Sequence, residues 1–215
     1  MLWFAIFSIA MAFVESAVVV YLRAIFYPEG FTFPLMAMSD YKILVEVLRE
    51  VATICMLMAV AYLAGKKPWE RFAWFMLSFG IWDIFYYVWL KALLDWPSSL
   101  LDWDVLFLIP LPWIGPVIAP VSIALLMMVF SILIIHSYQK GLDLKPTFLS
   151  VALSFAGLLL VFYSFMHDTG ATLHQQAPQP YRYDLLIIGN SLFTVSFIIS
   201  YVKCSRARLA PAVDR

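Results

Sequence analysis

Six apolar runs divide this chain. Each has about 20 residues or more, the length an α-helix needs to cross roughly 30 Å of hydrocarbon at 1.5 Å per residue. They extend from about Leu2 to Tyr27, Tyr41 to Ala64, Trp69 to Leu94, from the proline-rich stretch after Asp104 to Tyr138, from Pro146 to His167 and from Leu185 to Val202. Punctuation separates them: Pro28-Glu29-Gly30 signals a turn, Ser39-Asp40 is placed to cap the second helix, and Gly65 and Gly141 follow the second and fourth. Short alternating segments are absent, so strands are not expected. The sequence predicts an all-α fold, a polytopic membrane helix bundle of about six transmembrane helices. Residues 1–203 form a single bundle domain and 204–215 a short basic tail. Ala10-Met11-Ala12 has the small-x-small look of a signal-peptide cleavage site, but no Lys or Arg precedes it and apolarity continues to Leu22, so the first run is expected to stay as a span.

Side-chain charge sets the expected orientation. Of 14 Lys and Arg, nine lie in or beside the second connection, the fourth connection and the tail: Lys66, Lys67, Arg71, Lys140, Lys145, Lys203, Arg206, Arg208 and Arg215. Excess positive charge marks the cytoplasmic side, so both termini are expected inside a cell (inner) membrane. Trp89, Trp96, Trp103 and Trp113 then belong to the outer interface. A formal net charge of zero gives no field for nucleic acid, so the partners expected are the lipid bilayer and other membrane subunits.

Against this apolar background, with 13% of residues charged, Glu46, Arg49, Glu50 and Thr53 fall at i, i+3, i+4 and i+7 on one helix face. Charge inside hydrocarbon costs on the order of 3 kcal/mol per residue, so such a face turns to a bundle interior or a wet cavity. Glu15 and Asp83 lie at similar depth on other spans, and Asp83, Tyr87 and Lys91 form an i, i+4, i+8 ladder that lets Lys91 reach toward Asp83. The expected intramembrane polar cluster is therefore Glu15, Glu46, Arg49, Glu50, Asp83 and Lys91, opening outward past a rim of Asp102, Asp104, His167 and Asn190. Small residues at Ala5, Ser8 and Ala12, and at Ser150, Ser154, Gly157 and Ser164, mark faces where helices approach closely.

Two outer segments frame that cluster. Leu93-Leu94-Asp95-Trp96 recurs as Leu100-Leu101-Asp102-Trp103, a spacing that predicts an outer interfacial helix serving as a membrane anchor. From Ile109 to Pro120, Pro110, Pro112, Pro116 and Pro120 make a Pro-rich loop. It reads either as a plain loop entering the fourth span near Trp113, the preferred reading, or as a re-entrant lid over the cluster.

Zinc-protease, phosphate-loop, dinucleotide and nucleophile-elbow signatures are all missing. His167, Asp168 and His174 with Asp102 or Asp104 offer an outer metal site on non-diagnostic spacing; no metal and no cofactor is expected. Cys55 and Cys204 make neither a disulfide framework nor a metal pattern. Three functions fit: an outward-facing carboxylate and Arg cluster handling a proton, ion or small solute; a membrane enzyme acting on a lipophilic substrate by acid/base chemistry; or an accessory or assembly subunit in which the charges are structural.

Overall fold

The computed structural model describes residues 1–36, 39–109, 112–142, 144–168, 170–171, 174 and 176–209, with side chains up to residue 205. Six long helices account for most of them: α1 (Leu2–Phe26), α2 (Asp40–Ala64), α3 (Pro68–Leu94), α4 (Ile118–Gln139), α5 (Phe148–Met166) and α6 (Tyr183–Leu209). All but α2 are long and apolar enough to cross a membrane. α2 is equally long at 25 residues, with its charges in its first half. The protein is a multi-pass membrane helix bundle. Its outward faces carry large apolar side chains such as Leu63 (84% exposed) and Phe148 (91%), which suits a surface solvated by lipid.

Local chemistry fixes the helix ends. Pro68 opens α3, and the Glu70 carboxylate accepts from the Lys66 and Lys67 amides. Thr147 and Ser150 cap α5 reciprocally. Gly141 follows α4 at φ +74°, a conformation that a Cβ would strain. Ser39 stands at the N-cap of α2 without a side-chain cap bond.

Phe4, Ala61, Trp74 and Ile135 meet in one buried cluster, so the start of α1, the end of α2, the start of α3 and the end of α4 share one end of the bundle. α1, α2 and α4 pack on α3, while α5 packs mainly on α6; α4 meets α6 less extensively, and α2 and α5 are not among the principal packed pairs. The bundle is thus a four-helix group and a helix pair joined along a seam. Small residues make both close contacts. Ser8 and Ser78 Oγ are 2.9 Å apart between α1 and α3, and Ser154 and Ser196 Oγ 2.7 Å apart between α5 and α6.

Strands appear where none is expected. Residues between α3 and α4 form an antiparallel hairpin, β1 (Trp103–Phe107) and β2 (Trp113–Pro116), with Asp104 opposite Gly115 and Val105 opposite Ile114. Aromatic and branched side chains favour the strands, and Pro116 sits at the strand end where it disrupts no interior ladder bond. The fourth helix accordingly begins at Ile118, later than the expected entry near Trp113. Pro110 lies outside the described residues.

The outer interfacial helix is also absent. Asp95 ends α3 at φ 53°, and the Asp102 carboxylate accepts from the Ser98 and Ser99 amides and the Ser98 hydroxyl. A short acidic side chain that satisfies nearby amides favours a local turn over a helix. The two Asp-Trp pairs repeat in sequence but not in conformation.

Candidate functional site

The hairpin defines the site because it points inward. Its base is tied by Val117 N–H to Asp102 O and Ile118 N–H to Leu100 O. Deeper, Asp104 faces Tyr86; deeper again, the Phe107 ring lies 6.2 Å from that of Trp82, one turn further down α3. The Trp113 ring sits 4.4 Å from Phe162 on α5. The plain loop preferred on sequence for the proline-rich stretch is replaced by strand β2 and the first turn of α4, with Pro110 and Leu111 outside the described residues. Pairing between the strands satisfies backbone groups that water cannot reach, the condition for irregular chain inside a bundle.

Charge holds the hairpin in place. Arg23 of α1 donates to Asp104 at 3.1 Å, and both side chains are more than nine-tenths buried. The Arg23 guanidinium also lies 3.7 Å from the Trp96 ring centroid and 4.3 Å from that of Phe31, so aromatic faces replace part of its lost hydration. On α2, both Glu50 oxygens lie 3.0 Å from the Leu108 amide, which donates to them. Glu50 therefore fastens the hairpin tip and does not hydrogen-bond Arg49.

Arg49 instead bridges helices. It donates through Nε to Glu46 at 2.7 Å and through Nη1 to Glu15 of α1, whose other carboxylate oxygen accepts from Thr53 at 3.1 Å. Four members of the expected cluster thus converge, with Glu50 turned to the hairpin. Lys91 does not join them: it pairs with the Asp95 carboxylate at 2.7 Å and is half exposed, because the C-terminal turn of α3 offers a nearer acid than Asp83, two turns inward.

Asp83 is the exception among the acids of the bundle interior. Its Oδ2 is enclosed and has no hydrogen-bond partner. It lines a cavity of about 190 Å³ bounded by all six helices and the hairpin. Its charged and polar lining, Glu15, Arg49, Glu50, Thr53 and Asp83, comes from α1, α2 and α3, whereas β2, α5 and α6 line the opposite part with aromatic and aliphatic side chains alone, Trp113, Leu158, Phe162 and Phe193 among them. Leu158 of α5 lines the cavity and is also 45% exposed, so the cavity wall on this helix reaches the protein surface.

The expected rim separates by role. Asp104 belongs to the Arg23 pair and Asp102 to its own turn. The Asn190 amide donates to Ser122 Oγ, linking α6 to α4. His167 Nδ1 lies 3.0 Å from Ser164 O, and Asp168 accepts from the Gln179 amide. The outer metal site drawn from His167, Asp168, His174 and Asp102 or Asp104 is not assembled, since no three His, Cys, Asp or Glu side chains come together among the described residues. The sequence reading missed the Arg23–Asp104 pair and the aromatic wall. The signal for both was the pairing of two short aromatic, branched runs across a proline-containing turn, which is hairpin patterning. Comparison of the chain with family models, curated proteins and solved structures finds no match in any of the three.

Proposed function

We propose that this multi-pass protein admits a lipophilic molecule from the bilayer into the chamber and exchanges protons with its polar end through Asp83. The observation that carries this is the two-sided chamber: an enclosed carboxyl without a protein partner on α3, and opposite it an apolar wall that reaches the protein surface at Leu158. Burying an ionised carboxylate without a counter-charge costs several kcal/mol, so Asp83 calls for a proton or for a group brought by a ligand. A path for a hydrophilic ion fits less well, because the bundle end beyond the cluster is closed by Phe4, Ala61, Trp74, Leu77 and Ile135. Structural pairing accounts for Arg49 with Glu15 and Glu46, and for Arg23 with Asp104, yet leaves Asp83 unexplained. The Lys and Arg asymmetry supports an inner-membrane orientation with the hairpin end outside and both termini cytoplasmic.

The test is photolabelling in nanodiscs with a neutral aryl-diazirine lipophile. Adducts at Trp113, Leu158 or Phe162 that Leu158→Trp reduces at least tenfold support the chamber. Labelling confined to lipid-facing side chains such as Leu63 and Phe155 overturns it.

A further inference from the structure

The chamber's unbalanced charge identifies the ligand it selects. Glu15, Glu50 and Asp83 place three carboxyl groups on its lining, against the single guanidinium of Arg49, which is already bound by Glu15 and, from outside the lining, by Glu46. The other nearby cations are committed elsewhere: Arg23 to Asp104 behind the hairpin, and Lys91 to Asp95 at the outer end of α3. Glu50 receives only a neutral amide. Asp83 receives nothing at Oδ2.

Next to these acids runs a connected aromatic wall. Ring centroids are 5.1 Å apart from Phe79 to Trp82, 6.2 Å from Trp82 to Phe107, 5.6 Å from Phe107 to Trp113 and 4.4 Å from Trp113 to Phe162. Ring faces attract cations, and most strongly cations that shed water easily, as alkylammonium groups do. A phosphate or carboxylate head would meet like charge in a poorly hydrated site. A cavity of about 150 Å³ lined by apolar side chains takes up benzene; this one, at about 190 Å³, has room for one ring with a small head group.

We infer that the chamber selects lipophilic organic cations, amines or quaternary ammonium compounds with an apolar body, whose positive head sits against Asp83 and Glu50 while the body lies along Trp113 and Phe162. This rests on the proposed reading of the chamber as a ligand site. It adds the sign of the ligand's charge, which a purely lipophilic pocket would not select.

Phenyltrimethylammonium and tert-butylbenzene have nearly the same shape and differ in charge, and benzenesulfonate supplies the opposite sign. Binding of each to the full chain in nanodiscs is measured by quenching of tryptophan fluorescence, with empty nanodiscs as the partition control. The expected result is that the ammonium compound binds at least tenfold more tightly than the hydrocarbon and that the sulfonate does not bind. Asp83→Asn removes most of that preference and Glu50→Gln removes part of it, each read as the ratio of ammonium to tert-butylbenzene binding, the latter remaining measurable in both variants. The retained hydrocarbon binding shows that the variants keep a folded chamber. Equal binding of ammonium and hydrocarbon, or a preference that survives Asp83→Asn, overturns the inference and leaves the lipophile reading standing. Absence of binding by all three probes overturns both.

Discussion

Arg49 joins α1 to α2 through two carboxylates that approach different edges of one planar group, Nε toward Glu46 and Nη1 toward Glu15. Removing it as Arg49→Met strands both acids away from water, and breaking a buried pair in this way costs about 3 to 5 kcal/mol. Thermal unfolding in detergent is expected to show that loss. Arg49→Lys is expected to recover only part of it, since a point-like ammonium cannot span both acceptors with fixed geometry. Asp102 makes a different prediction, one about pH. Burial is the largest single influence and raises it, but the bonds from the Ser98 hydroxyl and from the Ser99 and Ser98 amides, with the nearby Lys91 charge, together outweigh burial and hold its carboxyl below the ordinary range. A group with a lowered folded pKa stabilises the fold above its unfolded value, near 4, and loses that contribution as pH falls through the folded value. Pepsin cleavage around Leu100–Leu101 is therefore expected to rise between pH 4 and pH 2, relative to other sites, and Asp102→Ala is expected to abolish that pH dependence.

Helix packing was the most legible layer of the sequence, because membrane helices meet through small residues and small residues are easy to see. Ser150, Ser154, Gly157 and Ser164 mark the face that α6 and the segment leading into it cover: Ser196 of α6 donates to Ser150 O, and Ser164 lies 2.9 Å from the hydroxyl of Tyr181, just before α6. At the crossing, a Cβ added to Gly189 would sit 2.5 Å from Val161 Cγ2, and one on Gly157 would sit 3.0 Å from Gly189 O. Gly189→Leu is thus expected to cost about 1 to 3 kcal/mol through overpacking, measured as a lower midpoint of thermal unfolding, whereas Ile187→Leu on the lipid face changes it little. The hairpin was illegible for an equally physical reason. Prolines at this density exclude helix without saying what replaces it, and the partners of the strands, Trp82, Phe162 and Glu50, come from spans whose order around the bundle no local pattern encodes. The polar cluster could be read from shared depth along the spans. The placement of Asp104 and the release of Lys91 could not, because each depended on how the segment after α3 folds.

At the scale of the molecule, the placement of Lys and Arg predicts that Lys140 and Gln176 lie on opposite sides of the membrane. Single cysteines at those positions in a background lacking Cys55 and Cys204 are expected to react with an impermeant maleimide from outside only at position 176. Reaction of both positions from outside inverts or removes a span. The seam between the four-helix group and the α5–α6 pair also bears on biosynthesis. Hairpin β1–β2 leaves the ribosome before α5 and α6, yet Trp113 and Gly115 need Phe162, Phe165 and Tyr181 as their outer wall. During that interval the strand pair is expected to stand uncovered on one side, tethered to the first three helices by Arg23, Glu50, Tyr86 and Trp82, until α5 and α6, which hold each other by their own glycine and serine contacts, close over it. Two polypeptides cut in the α4–α5 connection are accordingly expected to reassemble when produced together, as judged by co-purification, with the first fragment degraded quickly when made alone.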